Sequence, residues 1–127
     1  MSDKPLIGRL QVKGERTLAV IGASPALDRT IGGSRQRADP ATADVVLLFT
    51  PNRKVLTTAL PRALRGTKPD CIFWLAYPKL TSELAADLSR DIIHGLASEY
   101  RVDTVSQIAV DADWSALRLK RVVRSNR

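Results

Sequence analysis

Few residues in this 127-residue sequence could do chemistry. There is one cysteine, Cys71, inside an apolar run, and one histidine, His94. A lone thiol with a lone imidazole cannot build a zinc site, so no metal is expected. Neither the nucleophile-elbow pattern G-x-S-x-G nor a phosphate-cradling P-loop occurs. Asp111 and Asp113 could serve as paired carboxylates for acid–base work, but they flank a short break between two apolar runs, where acids serve turns. What remains is a set of residues placed just after apolar runs: Gly22 and Ser24, Thr50 and Asn52, Tyr77 and Lys79. A flexible backbone, hydroxyls, an amide and one cation gathered there would make a pocket for a small phosphate or carboxylate. A separate basic set, Arg118, Lys120, Arg121, Arg124 and Arg127, follows Asp113 with no acid among them. Such a surface attracts phosphates, acidic proteins and nucleic acids alike.

The first set matters only if strand ends meet, and the apolar pattern predicts that they do. Asp70-Cys71-Ile72-Phe73-Trp74-Leu75-Ala76-Tyr77-Pro78-Lys79, preceded by Gly66-Thr67-Lys68-Pro69, has the length and content of a strand buried on both faces, with Cys71 as a packing residue inside it. Residues 43–50 form a second such strand, and Thr17 to Ile21, closed by Gly22, a first and shorter one. Pro51 then opens a helix with Thr50 as its cap. Val55, Leu56, Ala59, Leu60, Ala63 and Leu64 recur at helical spacing, Pro61 should kink the helix, and Gly66 ends it. A further helix is predicted from Thr81 or Ser82, burying Leu84, Ala85, Leu88, Ile92, Leu96 and Ala97 and leaving Asp87, Arg90, Asp91 and His94 in water. Residues 102–110 and 114–123 read as a hairpin joined by Asp111-Ala112-Asp113. Trp114, Ala116 and Arg118 share one face of it, with Trp114 and Arg118 expected to pack against the preceding helix.

The whole is one domain, 1–127, with an N-terminal cap (1–16) over a sheet edge, a long arginine-rich loop (25–42) without apolar periodicity, and a frayed basic tail (124–127). The predicted fold is α/β: a three-layer, Rossmann-like, mostly parallel sheet of about five strands ending in an antiparallel hairpin. At 44% hydrophobic and 26% charged residues the composition is that of a soluble domain. No run is long enough to span a bilayer, no apolar signal core follows Met1, and a single cysteine suits a reducing compartment; the expectation is a cytoplasmic protein.

This order of elements resembles a Rossmann-like methyltransferase lacking its second and third strands. At motif level the chain resembles a family of small bacterial proteins catalogued as domain of unknown function 3052. The residues that carry this are Val45-Val46-Leu47-Leu48, the Trp74 strand ending in Tyr77-Pro78-Lys79, and Trp114-Ser115-Ala116-Leu117-Arg118, within roughly residues 6–122. That resemblance implies a fold and no activity.

In open α/β sheets, ligands bind beyond the carboxyl ends of the strands at the topological switch point, here between the first and second strands. Three functions follow. The leading one is a non-catalytic module that binds a small anion or a protein partner at Gly22, Ser24, Thr50, Asn52, Tyr77 and Lys79. The second is a degenerate methyltransferase-like enzyme, weakened by a single glycine in place of G-x-G-x-x-G and by the lack of an acid closing a second strand to hold a ribose. The third is nucleic-acid binding through the basic hairpin, which lacks interleaved aromatics. The edges of so small a sheet invite a homodimer. No cofactor and no membrane partner are expected.

Overall fold

A computed structural model describes residues 5–122. The elements are α1 (Leu6–Arg9), β1 (Leu18–Ile21), α2 (Pro25–Ile31), β2 (Val45–Phe49), α3 (Arg53–Arg65), β3 (Ile72–Pro78), α4 (Arg90–Ala97), β4 (Val102–Ala109) and β5 (Trp114–Arg121). Together the strands form one five-stranded sheet in the order β1–β2–β3–β5–β4. The first three run parallel, β5 is inserted antiparallel beside β3, and β4 pairs antiparallel with β5. This is the mostly parallel, Rossmann-like α/β fold that the apolar runs predict. Every residue of β2 is buried, because helices cover both faces of the sheet.

Strand alternation sorts the core into two layers. Val46, Leu48, Phe73, Leu75, Leu117 and Leu119 face Leu56, Leu60 and Ala63 of α3 and Ile93 and Ala97 of α4. Val45, Leu47, Phe49, Trp74 and Ala116 face Leu10, Val12 and Ile31 on the other side. The crossover after β1 therefore runs over one face, through α2, and the crossover after β2 runs over the opposite face, through α3. That reversal makes the carboxyl ends of β1 and β2 the switch point.

Five expectations are corrected. The N-terminal segment covers a face rather than an edge: Leu10 and Val12 are buried there, and Arg9 donates to the carbonyl of Ala109. The stretch 25–42 contains α2 and a 3₁₀ turn at Ser34–Gln36, with only one bridge, Arg37 to Leu18, along the outer edge of β1. Asn52, and not Thr50, caps α3, its Oδ1 accepting from the Val55 N–H at 2.9 Å, and the helix runs through Pro61. The last helix begins at Arg90 behind Ser89, eight residues later than Ser82 by the numbering, leaving Leu84 51% and Ile92 38% exposed. Trp114 lies on the face of α2, away from α4, because it shares its parity with Ala116. Among the described residues no helix is long and apolar enough to cross a membrane.

Candidate functional site

The chain leaves β1 through Gly22, whose φ is +84°. A Cβ built at this position would stand 3.0 Å from the carbonyl oxygen of Phe49, so both the backbone angle and the closeness of β2 demand glycine. Ser24 follows as the cap of α2, its Oγ accepting from the Leu27 N–H at 3.2 Å, and Pro25 supplies the preset first turn. These local rules place Gly22 and Ser24 at the floor of a cleft of about 450 Å³ over the switch point. Leu27, Thr30 and Pro51 form one side of it, and Leu84, Trp114, Asp111 and Asp113 the other.

The far wall is held by the β4–β5 hairpin. Asp111 Oδ1 accepts from the backbone N–H groups of Asp113 and Trp114, each at 2.8 Å, closing the turn. The Ser82 hydroxyl donates to Asp113 Oδ1 at 2.8 Å, and the Lys79 N–H donates to the Asp113 carbonyl at 2.8 Å. The Trp114 ring meets Phe49 edge-on, with centroids 5.0 Å apart and planes at 78°. The Trp114 ring and two aspartates thus line the same cleft as Gly22, and among the described residues no lysine or arginine lines it. Such a site accepts hydrogen bonds and favours positive charge.

Of the six ligand residues read from the sequence, the structure brings Gly22 and Ser24 into this cleft. Thr50 is fully buried and uses both its N–H and its Oγ1 to reach the Ala76 carbonyl, at 2.8 and 2.9 Å. Asn52 is committed to capping α3. Tyr77 points into the layer of α3 and α4, where burial raises its phenol pKa, and its oxygen accepts from Gln107 Nε2 at 3.2 Å. Lys79 is half-buried and bound through its backbone to Asp113. The strand-end polar residues thus mostly close the fold. From the sequence Trp114 reads as a packing residue and the two aspartates as a turn or a carboxylate pair; what places them at the cleft is the topology, which sets the start of β5 beside the end of β3.

The basic residues divide. Arg118 and Lys120 share the face of α1 by strand parity, whereas Arg121 donates to Thr67 Oγ1 at 2.8 Å on the other. Arg124 and Arg127 lie outside the described residues. His94 is exposed, its Nδ1 2.6 Å from Thr104 Oγ1. Cys71, expected inside the buried strand, instead precedes β3 and is half-buried; that burial raises its thiol pKa, which favours the unreactive protonated form. Among the described residues no group of histidine, cysteine and carboxylate side chains is placed to hold a metal.

No protein-family model matches the chain, and no curated protein matches it in sequence. Its fold is similar to those of solved methyltransferases. Mitomycin 7-O-methyltransferase MmcR matches with a TM-score of 0.58 at 13% identity, over 87% of this chain and 50% of that enzyme. This chain therefore spans about half of MmcR's length. A ribosomal protein L11 methylase from Lactobacillus delbrueckii subsp. bulgaricus matches with a TM-score of 0.58 at 13% identity, over 93% of this chain and 75% of the methylase. At these identities the likeness is one of fold: the sheet is Rossmann-like.

Proposed function

We propose that this chain is a methyltransferase-like protein that binds an adenosyl ligand of the S-adenosylmethionine class in the cleft over β1 and β2. The observation that carries this reading is the pairing of Trp114 with Asp111 and Asp113 above Gly22, at the switch point of the sheet. A flat base stacks on an indole, ribose hydroxyls and an ammonium group donate to carboxylates, and a sulfonium is attracted to them. The cleft volume falls within the roughly 300–1,000 Å³ of small-molecule pockets. A free phosphate or carboxylate would instead face two like charges, with no cation among the described residues lining the cleft to offset them.

Isothermal titration with S-adenosylmethionine, S-adenosylhomocysteine, adenosine and inorganic phosphate tests the proposal. Saturable binding of the adenosyl compounds, with phosphate inert, is the expected result. Phosphate binding without adenosyl binding would restore the small-anion reading, and binding of neither would remove the cleft as a ligand site. Methyl transfer is the enzymatic extension of this reading, and it is measured separately with radiolabelled donor and candidate acceptors.

A further inference from the structure

The α3 side of the sheet carries a second concavity, independent of the cleft. Between α3 and the strands β1 and β2 runs an open groove of about 580 Å³. Ile21 and Leu48 form its floor, and Val55, Ala59 and Ala63 of α3 form its wall. The groove face of α3 repeats at helical spacing through Lys54, Val55, Thr58, Ala59, Arg62 and Ala63, whereas Leu56 and Leu60 of the same helix turn into the core. In a layered α/β domain a sheet face of this kind is covered by helices. Beside α3, at the end of β1, the described residues place no helix, and Ile21 there is only partly buried.

Charge identifies what fits there. Helix α3 bears Arg53, Lys54, Arg62 and Arg65 and no acid. Lys54 and Arg62 stand on the groove, and neither forms an ion pair among the described residues. They are eight residues apart on the helix, about 12 Å along its axis. A fatty acid has one anionic head and cannot neutralise two cations so separated. A helix lying alongside α3 can: acids seven or eight residues apart on its flank are about 10.5–12 Å apart along its own axis. Alanines on the wall allow the axes to come within the 8–10 Å usual for packed helices. We infer that this groove docks an amphipathic helix of a protein partner, its apolar stripe on Ile21, Val55 and Ala59 and its acidic flank on Lys54 and Arg62.

The full chain is panned against a display library of amphipathic helical peptides with randomised flanks. The expected result is enrichment of peptides with Asp or Glu seven or eight residues apart on one flank. Their amide-shift footprint should fall on Ile21, Val55 and Ala59. The double charge reversal Lys54→Glu, Arg62→Glu, at two exposed positions, should weaken the best peptide at least tenfold and leave Tm within a few degrees. Enrichment without that acid spacing, no enrichment at all, or binding indifferent to the charge reversal overturns the inference. So does saturable laurate binding in the groove, or a concentration-dependent dimer that buries it.

Discussion

The indole N–H of Trp74 donates to the carbonyl of Leu10 at 2.9 Å, joining residues 64 apart in sequence. Both residues are almost wholly buried. The bond fastens the N-terminal segment across the middle of the sheet and supplies a polar partner in a layer otherwise made of Val45, Leu47, Phe49 and Ala116. A buried indole needs such an acceptor.

Trp74→Phe keeps an aromatic ring and removes the donor. An orphaned buried carbonyl costs about 1–3 kcal/mol, and the lost ring volume adds a cavity cost. Thermal unfolding should show Tm falling by roughly 5–15 °C. A fall of under about 2 °C would mean that water or a shifted backbone replaces the bond, and that the N-terminal segment is held by apolar contact alone.

Thr50 separates a structural hydroxyl from a ligand hydroxyl. Its Oγ1 and its N–H converge on the Ala76 carbonyl, so Thr50→Val removes one of two bonds to an acceptor that stays occupied. The expected loss is about 1 kcal/mol in urea unfolding, with affinity for any cleft ligand unchanged. A tenfold loss of affinity at constant stability would return Thr50 to the site.

The fold was legible where burial writes itself into composition. β2 and β3 are covered on both faces, and their sequences are unbroken apolar runs. The helices were less legible, because cap-like side chains also close turns and serve distant backbone groups. Ser82 looks like an N-cap, and its Oγ does accept from the Leu84 N–H at 3.0 Å while donating to Asp113, but the bond closes an isolated turn that no helix continues. Asp87 leaves the predicted helix to accept from the Arg53 N–H at 2.7 Å, serving the start of α3 instead. The helix then starts at Ser89, whose Oγ accepts from Ile92. In α2 only Leu27 and Ile31 mark the buried side, too short a pattern to register as periodicity. The cleft was half legible: Gly22 and Ser24 follow from strand-end logic, while Trp114 and the aspartates depend on which strand pairs with β3.

The Asp44–Lys68 pair predicts how stability falls in acid. The Lys68 ammonium, at 2.7 Å, and the Thr17 N–H, at 3.0 Å, hold the Asp44 carboxyl below its ordinary value of 3.8. The unfolded chain then binds this proton more readily than the folded one. The contribution is present above pH 3.8 and is lost as pH falls through the folded value. Lys68 mirrors this: Asp44 raises it above 10.5, so its contribution is lost only as pH climbs past that value. Urea midpoints measured between about pH 5 and pH 2 should decline less steeply in Asp44→Asn than in the parent chain. Identical slopes would show that both oxygens are equally well satisfied by water.

Asp113 allows the proposed ligand to be tested by charge alone. Its Oδ1 accepts from Ser82, a bond that the side-chain oxygen of asparagine keeps, so Asp113→Asn preserves the turn while removing the negative charge. S-adenosylmethionine carries a sulfonium, and S-adenosylhomocysteine a neutral thioether at the same atom. A carboxylate near that atom at the protein surface is worth about 1 kcal/mol to the cation, roughly a fivefold change in Kd. Titration should therefore show the donor weakened about fivefold in Asp113→Asn and the product changed by less than twofold. Equal weakening of both would place Asp113 on the ammonium or ribose that the two ligands share, or the effect in the shape of the hairpin, and no change in either would put the ligand out of reach of β5. Asp111→Asn is the poorer probe, because Asp111 Oδ1 closes the turn through two backbone N–H groups, and any change there moves the Trp114 wall along with the charge.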